Sequence, residues 1–224
     1  MSLRKKKLLI LFTPVLIVFI LDQVTKQLVR TNPGLHRVNV IDGWLALNFT
    51  KNPGMAMGMD FLSTPVISIV AIVATIAIFA YILSTMKDAN FAYLLCMGLI
   101  LGGALGNISD RIFMGIAGGY GGVLDGHVVD FIHFNLTIGE TPVFPYIFNV
   151  ADIAITTAII TMLVFHKRIM PVDNEPKDDE IQSGETGGID LHQEKTTERT
   201  EEITASEPAD SAPDSASERQ KPEL

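Results

Sequence analysis

Four apolar stretches interrupt an otherwise polar chain, and each has close to the length of a membrane-spanning helix. A helix needs about 20 apolar residues to cross a hydrocarbon core of roughly 30 Å. The first stretch has no small-residue cleavage site after it and continues with apolar residues at helical spacing, so we interpret it as a span and not as a signal peptide. The pattern therefore predicts an all-α membrane protein with four transmembrane helices, at residues 8–29, 61–86, 91–108 and 148–165.

Basic residues at the ends of the predicted spans indicate their orientation. Residues 4–7 (Arg-Lys-Lys-Lys) precede the first span, and Lys167 and Arg168 follow the fourth. Basic flanks lie on the cytoplasmic side. Both termini are therefore expected in the cytoplasm, and the two long connections, 31–60 and 109–147, outside it.

Each long connection has its own pattern. In the first, polar and apolar residues alternate over 37–40 and 44–49, which predicts a small extracytoplasmic β-hairpin that turns near Asp42 and Gly43. The second contains a glycine-rich, flexible stretch within 115–126 and then an apolar run around Asp130. We expect both connections to meet the membrane surface.

The third span carries three glycines four residues apart, Gly98, Gly102 and Gly106, with Gly103 beside them. Small residues on one face allow helices to approach closely in lipid, where packing drives their association. This span is therefore predicted to be the one against which other helices pack.

The charges divide the chain into two parts. Residues 172–224 carry a formal charge of −11 against −8 for the whole chain, so residues 1–171 carry +3. The tail is poor in aromatic residues and cannot bury enough apolar surface to offset the entropy lost on ordering. We predict a four-helix membrane domain at 1–171 and a disordered acidic C-terminal tail at 172–224, either solvated or protein-binding.

Several ionisable residues lie within or at the ends of the spans, where charges are costly and mark candidate functional sites. Asp22 and Lys26 are four residues apart and can pair on one helix face. That pair could anchor the helix at the interface or orient other site groups. Asp110 and Arg111 end the third span, and the guanidinium of Arg111 could hold carboxylates bidentately.

Two other carboxylates could supply the chemistry. Asp130 has no basic neighbour in sequence, and Asp152 starts the fourth span three residues after Asn149. Asp152 could simply cap its helix together with Asn149. On the predicted topology, however, both carboxylates lie on the same side of the membrane. If they share one proton, one can activate water while the other polarises a carbonyl, as in an aspartic peptidase.

Other chemistries lack their motifs. No glycine-rich phosphate loop, HExxH or GxSxG sequence occurs, and the five histidines show no pairing at i,i+4. The single cysteine, Cys96, excludes an intrachain disulfide and a cysteine-based metal site. We therefore expect neither a metal nor another cofactor.

These residues together resemble the lipoprotein signal peptidases, or signal peptidase II, over residues 8–168. The resemblance rests on five short motifs in one order along the chain, each weak alone. They are Asp22-Gln-Val-Thr-Lys26, Asn52-Pro-Gly-Met-Ala56, Gly106-Asn-Ile-Ser-Asp-Arg111, Val128-Val-Asp-Phe131 and Phe148-Asn-Val-Ala-Asp152. The loop between Arg111 and Asp130 is longer and richer in glycine than the family pattern.

The resemblance implies a bacterial, multi-pass protein of the cytoplasmic (inner) membrane with its active site on the extracytoplasmic side. Its substrates would be prolipoproteins with a diacylglyceryl cysteine, cut before that cysteine by Asp130 and Asp152. Membrane lipid would be its other partner, with no nucleic acid, and it would act as a monomer. The matching positions also imply a supporting role for Asp22 and Lys26, and a substrate-binding or site-shaping role for seven further residues. These seven are Asn52, Gly54, Asn107, Asp110, Arg111, Asn149 and Ala151.

Two other functions are compatible with the same residues. A proton-linked transporter would use membrane carboxylates as a relay, although nearly all acids of the predicted membrane domain lie toward the outer face. A factor that binds lipoprotein precursors without cutting them would share the whole site. Only an activity measurement separates that factor from the peptidase.

Overall fold

The computed structural model describes residues 1–54, 62–139 and 141–169. The predicted acidic tail, its boundary at 171/172 and the first residue of the second predicted span, Phe61, lie outside these ranges. The described residues form mainly helices, with a small antiparallel sheet.

Three helices are long and apolar enough to cross a membrane: α1 (Leu3–Thr31), α2 (Thr64–Thr85) and α3 (Phe91–Ala117). The fourth long helix, α4 (Val150–Val164), has 15 residues and is shorter than such a span requires. A four-residue helix, α5 (His166–Ile169), follows it. The predicted fourth span therefore remains a prediction, while three candidate spans are present in the part of the chain described.

Helix α3 extends nine residues beyond the end predicted at residue 108. We expected the charges of Asp110 and Arg111 to end the span. Instead both residues lie inside the helix, and the Asp110 carboxylate is buried against the Lys26 ammonium at 2.9 Å. Because this charge is paired within the protein, it does not have to leave the helix for water.

The glycines of α3 lie at its closest contacts, as predicted. A Cβ atom on Gly102 would lie 2.9 Å from the Val15 carbonyl oxygen of α1, and one on Gly98 would overlap the Leu11 carbonyl. Gly103 faces the other way, where a Cβ would lie 2.6 Å from the Ala151 carbonyl of α4. Helix α3 thus packs closely against α1 and α4 at once.

The sheet contains strands from both long connections. Its order is β1 (Arg37–Ile41), β2 (Leu45–Asn52), β3 (Val128–Phe134) and β6 (Ile147–Phe148), with antiparallel neighbours. The β1–β2 hairpin matches the prediction, whereas β3 was predicted only as an apolar run. A separate two-stranded ribbon pairs β4 (Thr137–Ile138) with β5 (Thr141–Pro142).

The glycine-rich stretch, predicted to be flexible, is folded back on the helices. The Gly126 N–H donates to the Arg111 carbonyl at 3.0 Å, and the Ser68 hydroxyl of α2 donates to the Leu124 carbonyl at 2.8 Å. The His127 N–H donates to the Tyr120 hydroxyl at 2.9 Å. These bonds fix the start of β3 beside α3.

Candidate active site

Asn149 forms hydrogen bonds with both candidate carboxylates. It is the N-cap of α4, and its side-chain oxygen accepts from the Asp152 N–H at 3.0 Å. The Asp152 carboxylate accepts in return from the Asn149 N–H at 3.1 Å, which completes the predicted capping box. The Asn149 amide nitrogen also donates to Asp130 Oδ1 at 2.7 Å. Asn149 therefore contacts Asp130 and Asp152 together.

Asp130 is a buried carboxylate on β3, with 2% of its surface exposed. Its other oxygen accepts from the Asn52 amide at 3.0 Å. Burial, and secondly the charge of Asp152, raise the pKa of Asp130 from 3.8 to about 6, although the bonds from Asn52 and Asn149 oppose the rise. Asp130 therefore retains its proton to a higher pH than an ordinary aspartate does.

Asp152 is only half-buried, in the first turn of α4. Its carboxylate accepts from the Asn107 side-chain nitrogen at 2.9 Å and lies at the positive end of the helix dipole. Asn107 cannot turn its amide around, because its oxygen accepts at 2.9 Å from the Lys26 ammonium, which can only donate. Lys26 therefore sets the direction of the hydrogen bond that Asp152 receives.

Lys26 is the centre of a buried ion cluster beneath the two carboxylates. Its ammonium lies 2.8 Å from Asp22 and 2.9 Å from Asp110, and all three side chains are at most 3% exposed. Asp22 also accepts from the Ala151 N–H at 3.0 Å, and Asp110 from the Val129 N–H at 3.1 Å. The predicted Asp22–Lys26 pair thus forms and also connects α1, α3, α4 and β3.

Gly54 and Arg111 lie beside Asn52. The Gly54 N–H donates to the Asn52 side-chain oxygen at 2.9 Å, with a backbone φ of +123° that favours glycine. Arg111 was predicted to hold carboxylates bidentately. Among the residues described it forms no salt bridge, and its guanidinium instead reaches the Pro53 carbonyl at 3.5 Å.

Gln23 belongs to the site but was not predicted as a site residue. Its amide nitrogen donates to the Asp22 carboxylate at 3.2 Å, to the Gly106 carbonyl at 3.1 Å and to Asp110 at 3.2 Å. Its position between Asp22 and Lys26 in the first motif is the sequence feature that could have indicated this role. A neutral amide in an apolar span attracts less notice than a charge, although it also needs partners there.

A family model described as signal peptidase (SPase) II matches residues 14–167. That range contains every predicted site residue and more than half of the chain. The chain belongs to the signal peptidase II family. It is therefore a membrane peptidase of the aspartic type.

Curated relatives in this family cover the same part of the chain. A lipoprotein signal peptidase of Pelodictyon phaeoclathratiforme is 34% identical over 73% of this chain and 93% of its own length. One from Chlorobium phaeobacteroides is 37% identical over 68% of this chain and 92% of its own. A solved structure titled as a bacterial membrane enzyme is 31% identical over 73% of this chain and 88% of its own, with a TM-score of 0.53.

Among the residues described, no three or more histidine, cysteine, aspartate or glutamate side chains are grouped as metal ligands. The site of this signal peptidase II member is instead composed of carboxylates, amides and ammonium donors. Such a set can hold one proton between two carboxylates and present them to water and a carbonyl.

We expect Gly106→Ala to disturb this site by a steric effect. The new methyl carbon would lie 2.5 Å from Asp22 Oδ2 and push that carboxylate away from Lys26 and the Ala151 N–H. Overpacking of this kind costs about 1–3 kcal/mol, measured as a lower unfolding midpoint, and cleavage should slow as well. Gly34→Ala is the matched control, because a methyl there meets nothing within 4 Å. Equal unfolding midpoints for the two variants would contradict the proposed packing.

Proposed function

We propose that Asp130 and Asp152 are the catalytic pair with which this peptidase removes signal peptides from diacylglyceryl-modified prolipoproteins, cutting before the lipidated cysteine. The observation that carries the proposal is that Asn149 bonds to both carboxylates. Its backbone N–H donates to the Asp152 carboxylate, and its amide nitrogen donates to Asp130. Its side-chain oxygen also accepts from the Asp152 N–H. The names of the relatives support the substrate class.

The different surroundings of the two carboxylates suggest separate roles. Asp152 receives hydrogen bonds that stabilise its charge, so it takes a proton from a water molecule. The water oxygen then attacks the scissile carbonyl carbon, while Asp130 gives its proton to the carbonyl oxygen. Collapse of the tetrahedral intermediate breaks the C–N bond as Asp152 gives its proton to the leaving nitrogen. A hydroxyl group of the intermediate returns a proton to Asp130, so the pair again holds one proton.

The remaining residues fall into two groups by position. Asn52, Gly54 and Arg111 lie together beside Asp130 and would contact the substrate backbone. The second group holds the pair in place, and its members are buried except for Asn107, which is half-buried. Its members are Asp22, Lys26, Asn107, Asp110, Asn149 and Ala151.

Three hydrogen bonds support a topology with both termini in the cytoplasm. Lys7 donates to the Met86 and Lys87 carbonyls at 3.0 and 2.7 Å, and Asn90 donates to the Arg168 carbonyl at 2.9 Å. The basic ends of α1 and α5 thus meet the short α2–α3 connection, away from Asp152. Basic groups collected at one end favour that end as cytoplasmic. Helix α4 would then be the fourth span, with the site on the extracytoplasmic side.

A membrane location of the site suits a lipid-anchored substrate, which reaches it by lateral diffusion. We propose that the membrane domain of residues 1–171 acts as a monomer in contact with lipid and contains every residue needed for cleavage. The acidic tail at 172–224 would have no part in the chemistry.

Cleavage of a diacylglyceryl-modified prolipoprotein by the purified protein in detergent tests the function. An unlipidated copy of the substrate and the Asp130→Asn variant serve as comparisons, with the new N-terminus read by mass spectrometry. We expect cleavage of the lipidated substrate only, and only by the wild type. Equal cleavage of the unlipidated copy would refute the lipid requirement, and turnover by Asp130→Asn would refute the catalytic pair. A folded wild-type protein that cleaves neither would favour a binding or transport function.

The pH profile should report the proton on Asp130. Since this group acts in its protonated form, kcat/KM is expected to fall as pH rises through its pKa of about 6. Asn52→Ala removes a donor that stabilises the ionised carboxylate, so the midpoint should move to higher pH. Asn39→Ala, on the neighbouring strand β1, is the matched control. The assignment fails if the midpoint does not move in Asn52→Ala.

The same pKa makes stability depend on pH. Folding raises the pKa of Asp130 from 3.8 to about 6. The contribution of this group to the free energy of unfolding is therefore fully present below pH 3.8 and is lost as the pH rises through about 6. The loss amounts to at most about 3 kcal/mol. Asp130→Asn removes this dependence, and its unfolding midpoint should exceed that of the wild type at pH 7.5 but not at pH 4. An equal pH dependence in both proteins would contradict the raised pKa.

A further inference from the structure

A pocket lies on the face of the sheet opposite to Asp130. Side chains alternate between the two faces of a strand. Thr50 pairs with Asp130 on one face, and the next pair, Lys51 with Val129, points to the other. There Lys51 and Val129 line a cavity of about 180 Å³.

The cavity contains three basic side chains from three separate segments: Arg30 at the end of α1, Lys51 of β2 and His127 before β3. Two aromatic residues, Phe49 and Tyr120, lie between them. We call these five residues the cationic pocket. No carboxylate lines it within the described part of the chain, so its charge is positive.

The cations of the cationic pocket retain unused donors. Among the residues described, neither Arg30 nor Lys51 forms a salt bridge. The Arg30 guanidinium donates only to two neutral atoms, the Met114 sulfur at 3.2 Å and the Gln27 side-chain oxygen. A guanidinium has five N–H donors, so several remain for a ligand.

The aromatic residues hold the basic groups in position. The Lys51 ammonium lies 5.0 Å from the centre of the Tyr120 ring, and that ring packs against His127 at 4.9 Å. Burial, and then the charges of Lys51 and Arg111, lower the pKa of His127, while Asp125 opposes the shift. The positive charge of the cationic pocket therefore comes from Arg30 and Lys51, and it favours an anion.

We propose that the cationic pocket binds the phosphodiester group of an anionic phospholipid. Asp130 is on the opposite face of the sheet, so the occupant of the pocket is separate from the peptide bond being cut. The pocket lies where α1 and α3, two of the candidate membrane helices, end, which is the depth of lipid headgroups. An arginine with free donors beside a lysine suits a phosphate group.

A small cavity of about 20 Å³ lies beside the cationic pocket and the buried ion cluster. Arg30 and Val129 line both cavities, and the smaller one also touches Lys26 and Asp110. That volume holds one water molecule. A bound phosphate would therefore lie within one water layer of the buried ion cluster and should stabilise the folded protein against heat.

Lipid retention by the full-length protein tests the proposal. Wild-type protein in detergent is titrated with dioleoyl phosphatidylglycerol or dioleoyl phosphatidylcholine, and bound lipid is counted by native mass spectrometry. We expect preferential binding of phosphatidylglycerol and a rise in melting temperature. In the Arg30→Gln/Lys51→Gln double variant this binding should weaken about tenfold or more. Arg37→Gln, an exposed cation of the same sheet, is the matched control and should bind like the wild type.

Three results would overturn the proposal: equal retention of phosphatidylglycerol by the double variant and the wild type, no preference over phosphatidylcholine, or the same loss in Arg37→Gln. The same titration is carried out with glycerophosphoglycerol, the headgroup without acyl chains. If it binds as tightly as the intact lipid, the occupant is a soluble phosphate and the lipid assignment fails. The single Lys51→Gln variant changes an exposed side chain and supplies a folded test if the double variant melts early.

Discussion

Asp152→Asn is expected to slow signal-peptide removal by about 10²- to 10⁴-fold, the range that positioned acid–base groups contribute. Asparagine has nearly the same shape, but it cannot take a proton from water. Its amide can accept only one of the two bonds that Asp152 now receives, because Lys26 keeps Asn107 as a donor. Initial rates on the lipidated substrate measure the effect.

Asp42→Asn is the matched control for this substitution, because Asp42 is an exposed acid in the β1–β2 turn. The Asp42→Asn variant should cleave the lipidated substrate at the wild-type rate. Asp152→Asn should remain folded, with a loss of about 1 kcal/mol for the missing hydrogen bond. Turnover within tenfold of the wild type in folded Asp152→Asn would exclude Asp152 as the base.

The same variant should also change Asp130. The charge of Asp152 is the second cause of the raised pKa of Asp130, so removing it should lower that pKa from about 6. The infrared band of the protonated carboxyl group, assigned by its loss in Asp130→Asn, follows the titration. An unchanged midpoint would mean that the two carboxylates do not interact.

Lys26→Met should have the largest effect on stability. The substitution keeps the length of the side chain but leaves Asp22 and Asp110 buried without their shared cation. Breaking a buried pair in this way costs about 3–5 kcal/mol. Denaturation in mixed detergent micelles should therefore show a much lower midpoint, while Lys87→Met, which changes an exposed lysine, should show little change.

A triple variant separates the structural role of Lys26 from its effect on the site. With Asp22→Asn and Asp110→Asn added to Lys26→Met, no charge remains unpaired in the cluster, and most of the stability should return. Activity should not return to the same extent, because Asn107 has lost the ammonium that holds its amide toward Asp152. Full recovery of both would mean that Lys26 acts only as a counter-ion.

Local patterns were sufficient for several features of the fold. The apolar runs predicted α1, α2 and the start of α3, and the four-residue glycine spacing predicted the close packing of α3. The spacing of Asn149 and Asp152 predicted the capping box. Each of these depends on residues within a few turns of one helix, where sequence separation determines geometry.

Contacts between distant segments could not be predicted in the same way. The Ala151 N–H bonds to Asp22, 129 residues earlier, and nothing near either residue in sequence specifies the partner. The length of α3 was underestimated for a related reason, since a charge ends a membrane helix only if it finds no buried partner, and Asp110 finds Lys26. The role of β3 as a central strand also depends on pairing with β2, about 80 residues away in sequence.

The sequence by itself determined the membrane character, the candidate spans, the motifs of the signal peptidase II family and the identity of the candidate carboxylates. Only the tertiary structure decided that Asn149 contacts both carboxylates, that Lys26 orients Asn107 toward Asp152, and that Arg111 points to a backbone carbonyl. The physical reason is that periodicity and spacing describe one element at a time. Burial, and with it the proton affinity of Asp130, depends on which elements pack together.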